Sequence, residues 1–193
     1  MFNIFESNNE DITYIVDNFG HEVSINNKTV KAIITNNVVS EYEDRYISST
    51  LSIKRGDIVK DSTVNYLVIT ESVSKRYSKY KAIMRHCNYT LDVPKEVCEL
   101  IGRDSSGRPV YDCTNQLIPT PVIVDNKSFS IMEGAIRLPN NQILVTMQDN
   151  EANKTEMVTN KEFELMDSTW VVLNVDLTKN GLLLMTCEFK SEV

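Results

Sequence analysis

The sequence has few glycines and lacks a glycine-rich phosphate loop. Its six glycines are nowhere spaced as G-x-G-x-x-G, and none precedes Lys-Ser or Lys-Thr, so neither dinucleotide nor nucleoside triphosphate binding has support. No apolar run approaches the roughly 18 residues that cross a bilayer. Residues 1–6 have neither the basic nor the apolar segment of a signal peptide. We therefore expect a soluble protein, made in the cytoplasm, that binds no nucleotide cofactor.

Histidine and cysteine are also scarce, with two and four copies. The cysteines are Cys87, Cys98, Cys113 and Cys187. None forms a C-x-x-C pair, and His86 next to Cys87 lacks a second ligand pair, so the spacing does not support zinc. No nucleophile elbow or helix N-terminus accompanies any thiol. The sequence predicts no metal, no cofactor and no covalent catalysis, and it predicts free thiols in a reducing cytosol.

An excess of positive charge is the third absence. The formal net charge is −7, which argues against a surface that grips nucleic acid throughout, because phosphate binding depends on Lys and Arg. One basic loop is the exception, since it alternates cations with tyrosines and contains no acid. It comprises Lys75, Arg76, Tyr77, Lys79, Tyr80 and Lys81, and Arg85 follows it. The loop predicts contact with DNA or an acidic partner; the alternative is a solvated hairpin tip that protects a sheet edge.

Short stretches of alternating apolar and polar residues are plentiful. In the first half Val23, Ile25, Val30, Ala32 and Ile34 alternate with polar side chains, which is the period of a half-buried strand. Similar patterns recur at even spacing with no amphipathic helix between them. This arrangement predicts an all-β fold of small β-barrel or sandwich domains rather than a parallel α/β sheet.

One hairpin pattern occurs twice, once in each half of the chain. Tyr66 and Cys87 of the first copy correspond to Trp170 and Cys187 of the second, and residues 76–80 have little counterpart in the second copy. The repeat predicts two similar β domains. Cysteines at matching positions indicate buried small side chains in equivalent strands, and Trp170 is expected to anchor the second core.

Chain breakers are densest in the middle of the sequence. Pro94 suits the first turn of a short helix over residues 94–100, whereas Pro119 and Pro121 favour an extended, semi-rigid connection. A Pro/Gly-rich linker with a short helix is therefore expected between the two domains. The predicted organisation is an N-terminal arm at 1–18, a β-barrel domain at 19–92, the linker at 93–121 and a second β domain at 122–193.

Phrases in both halves resemble one group of proteins. They are residues 120–127, 136–140 and 145–150 in the second half, and residues 55–59 and 80–89 in the first. The chain is similar here to structural proteins of tailed phages that infect Gram-positive bacteria, namely the head–tail connector and head-closure (stopper) proteins of the neck. The similarity extends over nearly the whole chain and includes no catalytic signature.

This resemblance implies a non-enzymatic virion protein that forms a homo-oligomeric ring at the head–tail junction. Its partners would be a portal or adaptor protein on one side and a tail protein on the other, with passing contact with genomic DNA in the channel and no membrane. Many stoppers are single barrels of about half this length, so the second domain raises a tail-completion or collar role as an alternative.

Two other functions are left open by the residues. The basic loop is compatible with a barrel-type nucleic-acid-binding module, and the carboxylates of residues 41–44 are compatible with a hydrolase. We expect the carboxylates to be solvated, and the hydrolase is the least favoured of the three hypotheses.

Overall fold

A computed structural model describes residues 9–38, 42–75, 79–126 and 141–190. Within these ranges the chain is mostly β-strand, arranged in two barrel-like modules, which confirms the predicted all-β fold class. No helix in the described ranges is long and apolar enough to cross a membrane. The strands predicted near residues 129–131 and 134–138 lie outside the described residues.

The described elements number thirteen strands and two helices. In chain order they are α1 (Asn9–Phe19), β1 (His21–Ile25), β2 (Lys28–Asn36), β3 (Asp44–Ser49), β4 (Ile58–Asp61), β5 (Val64–Val68), β6 (Val73–Lys75), β7 (Lys79–His86), β8 (Tyr89–Arg103), β9 (Pro109–Asn126), β10 (Gln142–Gln148), α2 (Glu151–Glu156), β11 (Glu162–Leu165), β12 (Ser168–Asp176) and β13 (Leu182–Phe189).

The N-terminal module is a closed barrel. β1, β2, β3, β7, β5 and β4 pair in that order, all antiparallel, and β4 pairs back with β1. β6 extends the edge of β7 beyond β5. Alternate side chains fill the interior, including Val23, Ala32, Ile47, Val59 and Met84. Because closure pairs the strand edges, the ring of six strands has no long open edge.

The predicted N-terminal arm contains helix α1. The helix contacts β2, and Val16 is its buried anchor at 4% exposure. Its end is marked by the Gly20 amide, which donates to the Val16 carbonyl at 2.9 Å. Ile15 and Phe19 stay exposed on the outside of the helix. The barrel therefore covers only part of the apolar surface of α1.

The C-terminal module is an open antiparallel sheet in the order β11-β12-β13-β10-β9-β8. It curves around a core that includes Val145, Met185 and Cys187, all fully buried. Trp170 belongs to this core, and its indole Nε1 donates to the Leu165 carbonyl at 3.0 Å. The prediction that Trp170 anchors the second core is confirmed. The opposite end of the sheet is the long strand β8, which has no neighbour beyond it among the described strands.

Both repeated hairpins are present, but their registers differ. Tyr66 lies opposite His86, whereas its counterpart Trp170 lies opposite Phe189. A register shift after Val172 accompanies this difference. The two matching cysteines are both buried, as predicted. They nevertheless occupy different cores, because Cys187 belongs to the second sheet and Cys87 to the contact between the modules.

The predicted linker and its short helix are wrong. Residues 93–121 form most of a long hairpin, β8–β9, and residues 94–100 are strand. Every second pair at this end of the ladder contains a proline, namely Thr90↔Pro121, Asp92↔Pro119 and Pro94↔Leu117, so all three are of the same hydrogen-bonding type. The three proline nitrogens therefore point away from the β8–β9 ladder, where a missing N–H costs no hydrogen bond. The predicted boundaries at 92/93 and 121/122 consequently fall inside strands.

The prediction of four free thiols is also wrong for two of them. Cys98 and Cys113 lie directly opposite each other in the β8–β9 ladder and form a disulfide. Only Cys87 and Cys187 are free, and both are buried. A sequence separation of 15 residues does not reveal such a pair until the hairpin register is known, because only opposite positions bring two side chains within bonding distance.

Candidate functional site

The outer part of the β8–β9 hairpin projects from the C-terminal module. We call residues 94–118 the arm. β9 pairs with β10 only from Ile123 onward, so both edges of the arm are open within the described structure. Leu117 is 66% exposed, Leu100 58% and Tyr111 57%. A two-stranded ribbon in water is marginally stable, and the large apolar side chains along this one form an exposed apolar patch.

The arm has one apolar and one polar face. Opposite residues of an antiparallel pair share a face, and the face alternates along each strand. One face carries the pairs Pro94↔Leu117, Cys98↔Cys113 and Leu100↔Tyr111, interrupted by the polar pair Glu96↔Asn115. The other face carries Lys95↔Gln116, Val97↔Thr114 and Glu99↔Asp112 in its middle, with the apolar Ile118 and Val110 at its two ends. We call the first the apolar face of the arm.

The tip of the arm is a tight turn held by Asp104. Its carboxylate Oδ1 accepts from the amides of Ser106 at 2.8 Å and Arg108 at 2.9 Å. Gly107 adopts a left-handed φ of +80°, which glycine tolerates without steric cost. Arg103 donates to the Gly107 carbonyl at 3.3 Å. With two arginines and one aspartate, the tip has an excess of one positive charge.

The two modules meet at an apolar junction. Its buried side chains are Leu67, Cys87, Ile123 and Leu182. Leu67 lies on β5 of the N-terminal barrel, and Cys87 directly follows β7. Ile123 lies on β9 and Leu182 on β13 of the C-terminal sheet. Burial of these four groups excludes water from the contact, so the junction contributes stability through the hydrophobic effect.

Two glycines bring the backbones of the modules into direct contact at the edge of the junction. A Cβ on Gly56 would lie 1.9 Å from the Gly181 carbonyl oxygen, and a Cβ on Gly181 would lie 2.0 Å from the Arg55 carbonyl oxygen. Arg55 Nε donates to the Asn180 carbonyl at 2.7 Å, and Gln148 Nε2 donates to the Gly56 carbonyl at 2.9 Å. No side chain fits between the two turns, which fixes the relative position of the modules.

Arg85 is a second polar tie across the junction. Its guanidinium Nε and Nη2 donate to the two carboxylate oxygens of Asp44, at 2.8 and 3.2 Å. Nη1 lies 3.9 Å from Asp125 of the C-terminal sheet, and Cζ lies 3.9 Å from the centre of the Tyr42 ring. Burial opposes the charged form, but the Asp44 hydrogen bond and the two carboxylates outweigh it, so the pKa of Arg85 is raised.

The basic loop is divided by the structure. Arg76 and Tyr77 lie outside the described residues, as does the side chain of Lys75, although Lys75 ends β6. Lys79 and Lys81 point outward from β7, and Tyr80 points inward against the barrel core. Lys81 Nζ lies 4.0 Å from the centre of the Tyr46 ring.

Arg85 is not part of one open basic surface with these lysines. It lies near the far end of the same strand and is paired with Asp44 and Asp125. Within the described part of the chain, neither Lys79 nor Lys81 lies within ion-pair distance of a carboxylate. Sequence spacing suggested a single cluster, whereas among its described cations the structure pairs Arg85 with carboxylates and leaves Lys79 and Lys81 outside ion-pair distance of a described carboxylate.

The acidic residues 41–44, which the sequence leaves open as hydrolase candidates, lie beside the junction, and their described carboxylates pair with basic side chains. Glu43 Oε2 lies 3.1 Å from His86 Nδ1, and Asp44 holds Arg85. Glu41 lies outside the described residues. The described carboxylates of this segment therefore act as partners of neighbouring basic groups.

The two free thiols are chemically quiet. Burial raises the pKa of Cys87 and of Cys187 to about 12. The nucleophilic thiolate is therefore a minor species at neutral pH. Glu96 lies close to both sulfur atoms of the arm disulfide, but those sulfurs are bonded to each other and offer no thiolate ligand.

The fold and this site define an all-β protein of two fixed modules with one projecting arm. Residues 3–86 match the YomX N-terminal domain and residues 109–188 match the YomX C-terminal domain. The chain therefore contains both YomX domains, in that order. YomX is a phage-type protein, like those of Bacillus phages related to SPbeta, and the match is consistent with a phage protein. No curated protein and no solved structure matches the chain significantly.

The inner ends of the two matched ranges coincide with strand boundaries. The N-terminal match stops at His86, where β7 ends, and the C-terminal match starts at Pro109, where β9 begins. β8 lies between the two matches. The arm thus combines one strand inside a matched domain with one strand outside both.

Proposed function

We propose that the protein is a non-enzymatic structural component of the virion neck, where copies form a ring that connects the portal and head to the tail around the DNA channel. Both YomX domains support a phage protein. The finer assignment is carried by one observation: a rigid pair of β modules presents a long arm whose apolar face is exposed within the described part of the chain. A monomer rarely leaves such a face in water, whereas a repeating assembly covers it.

The junction supports this proposal in a second way. A ring component transmits contact between a neighbour above and a neighbour below, which requires modules that hold a fixed orientation. The Gly56–Gly181 backbone contact and the Arg85–Asp44 pair supply that rigidity. The same features suit a tail-completion or collar protein, which is the alternative within the neck.

The experiment is localisation in the particle. Virions of the encoding phage would be purified and imaged by cryo-electron microscopy, with copy number measured by quantitative mass spectrometry. We expect several copies at the head–tail junction in a closed ring, and docking of purified protein to portal rings. Absence from purified virions, or a position in the capsid shell or tail fibres, would overturn the proposal.

A nucleic-acid-binding module is the second candidate, favoured by Lys79 and Lys81 on the outer face of β7. In the neck this would become contact with DNA passing through the channel. Replacing both lysines with alanine should weaken DNA binding in fluorescence anisotropy and lower its salt dependence. Lys28→Ala with Lys60→Ala removes the same charge from exposed positions elsewhere on the barrel and is the control. Equal effects of the two variants would reject a specific role for the β7 lysines.

A further inference from the structure

We propose that the apolar face of the arm binds the outside of helix α1 on the N-terminal barrel of a second copy of this chain. The inference rests on the proposed ring and names the contact that would build it. Four observations support it: the two faces of the arm, the blunted arm edges, the apolar path from the junction, and the character of α1.

The apolar face of the arm points away from the core of the C-terminal module. Leu91 and Val93 of β8 point into the core of the C-terminal module. The apolar face of the arm carries the alternate residues, among them Leu100 and Leu117, and so lies on the opposite side of the ribbon. The C-terminal core therefore cannot cover it.

Strand addition at the arm edges is disfavoured near its base. Pro94 faces the open edge of β8, and Pro119 and Pro121 face the open edge of β9. These prolines supply no N–H to an incoming strand, which is a common way to blunt an edge. The partner is therefore expected to bind the face of the ribbon through side chains, as a helix or a barrel wall does.

The apolar face is continuous with the junction inside the molecule. Ile123 and Leu117 lie on the same side of β9, because they are separated by an even number of residues. Ile123 belongs to the buried cluster with Leu67 of the N-terminal barrel, whereas Leu117 is 66% exposed among the described residues. The inner end of this side of β9 is thus covered by a barrel, and its outer end is exposed for a second contact.

Helix α1 has the surface that such a contact requires. Ile15 and Phe19 are one helical turn apart on the same side of the helix and are 46% and 74% exposed, and Tyr14 beside them is 65% exposed. The described N-terminal barrel covers Val16 but not these three side chains. The helix therefore presents apolar groups to solvent at a distance from its own module's core.

Charge favours the same pairing. The α1 sequence contains Glu10, Asp11 and Asp17 and no basic residue. The arm tip carries Arg103 and Arg108, while its one acid, Asp104, caps the turn. Docking of the tip near α1 places opposite charges around an apolar centre, which is the usual arrangement of a protein interface.

The contact is heterologous, because it joins a C-terminal arm to an N-terminal helix. Repetition of such a contact generates a ring where the rotation closes and a filament where it does not. The proposal thereby specifies how identical copies of an asymmetric chain follow one another around the neck.

Photo-crosslinking tests the contact on the full chain. Tyr111 would be replaced by p-benzoylphenylalanine in isotopically light protein, which is mixed with heavy protein and irradiated. We expect crosslinked peptides that join position 111 of one isotope to residues 9–19 of the other. Intramolecular products only, or intermolecular products at another surface, would overturn the proposal.

Self-association of variants supplies a second readout. Leu100→Asp with Leu117→Asp adds two charges to the apolar face and should raise the dissociation constant at least about tenfold in sedimentation experiments. Thr114→Asp with Gln116→Asp adds two charges to the polar face of the same ribbon, and its effect should stay within about twofold. Equal effects, or a wild-type protein that stays monomeric up to its solubility limit, contradict the inference.

A charge exchange tests the orientation of the docked arm. Arg108→Glu and Asp17→Lys should each weaken association, and the double variant should recover part of the loss. These results are separable from the proposed function. Association that depends on the arm in a protein absent from the neck would overturn the function alone, and a neck ring that assembles without arm–helix crosslinks would overturn this inference alone.

Discussion

The junction and the arm share strand β9 but differ in how far its side chains are buried. Ile123 and Leu117 lie on one side of β9, yet Ile123 is 3% exposed and Leu117 is 66% exposed. Both residues are paired within strand β9, Ile123 with Thr146 of β10 and Leu117 with Pro94 of β8. The difference therefore comes from what covers the side chains, and not from the hydrogen bonds that form the strand.

This contrast separates a contact inside the chain from a surface that we propose binds a second copy. At the junction, apolar cover, close backbone contact and the Arg85 ion pairs act together to fix two modules. On the arm, a disulfide and a ladder hold the ribbon while its apolar face remains open. Stability should therefore respond strongly to changes at the junction and weakly to changes on the arm, whereas association should respond in the opposite way.

The largest effect is expected for Gly56→Ala. The added Cβ would meet the Gly181 carbonyl oxygen, and Gly56 has a φ of +92°, so steric overlap adds to backbone strain. We expect a loss of about 3 kcal/mol or more in the free energy of unfolding, measured by urea denaturation.

Two other glycines separate these causes. Gly107→Ala retains the positive φ of +80° without any contact within 4 Å, and Gly102→Ala has neither feature. Their expected costs are about 1 kcal/mol and close to zero. If Gly107→Ala were as costly as Gly56→Ala, the backbone contact between modules would not be the cause.

The next test compares the losses in the free energy of unfolding for Ile123→Ala and Leu117→Ala, two residues on the same side of β9. Removal of the buried Ile123 side chain leaves a cavity in the junction and should cost about 2–4 kcal/mol. Removal of the exposed Leu117 side chain should change stability by less than about 0.5 kcal/mol. Similar losses in chemical denaturation would mean that Leu117 is covered within the monomer.

Much of the fold followed from local patterns in the sequence. Alternation around Val23 and Ile34 predicted strands, and Trp170 was recognised as a core anchor because a single large aromatic in an apolar strand needs burial. The repeat correctly predicted two β modules and buried cysteines. It could not assign Cys87 to the junction, because that depends on how the modules pack.

The sequence did not predict the arm, because its prolines and glycines are compatible with two different structures. Proline and glycine near residues 94–121 usually mark a linker, and only the pairing register shows that Pro94, Pro119 and Pro121 point to open edges. The Cys98–Cys113 bond depends on the same register. Tyr111, Cys113 and Leu117 alternate with polar Asp112, Thr114 and Gln116, with Asn115 as the exception, and this local pattern favoured strand over linker.

Arg85→Gln is expected to have an intermediate effect on the junction. The change leaves the Asp44 carboxylate, which is largely covered, without its cationic partner, and should cost about 1–3 kcal/mol. Lys190→Gln breaks an exposed ion pair with Glu162 and should cost about 0–0.5 kcal/mol. Equal costs in thermal and urea denaturation would show that the Arg85 pair adds no more than a surface contact.

A smaller effect is expected from the buried thiol of Cys187 at high pH. Burial raises its pKa in the folded state to about 12, against an ordinary value of 9.0. Its stabilising contribution is therefore complete below pH 9 and is lost as the pH rises toward 12. Between pH 8 and 9.5 the wild type should lose about 0.8 kcal/mol more than Cys187→Ala, as measured by urea denaturation at each pH. Parallel pH profiles would contradict the burial of this thiol.

The smallest effect on stability is expected from reduction of the Cys98–Cys113 disulfide. Closure of a 15-residue loop stabilises a protein by about 3 kcal/mol when the bond constrains only the unfolded chain. The arm makes few contacts beyond its own ladder, so a reduced arm should loosen in the folded state as well, and the entropy gained by folded and unfolded forms should nearly cancel. We expect a change below about 0.5 kcal/mol in urea denaturation, together with faster hydrogen exchange in the arm and unchanged exchange at the junction. A loss near 3 kcal/mol would instead mean that the arm stays ordered without its disulfide, and that it is a more integral part of the module than its exposure suggests.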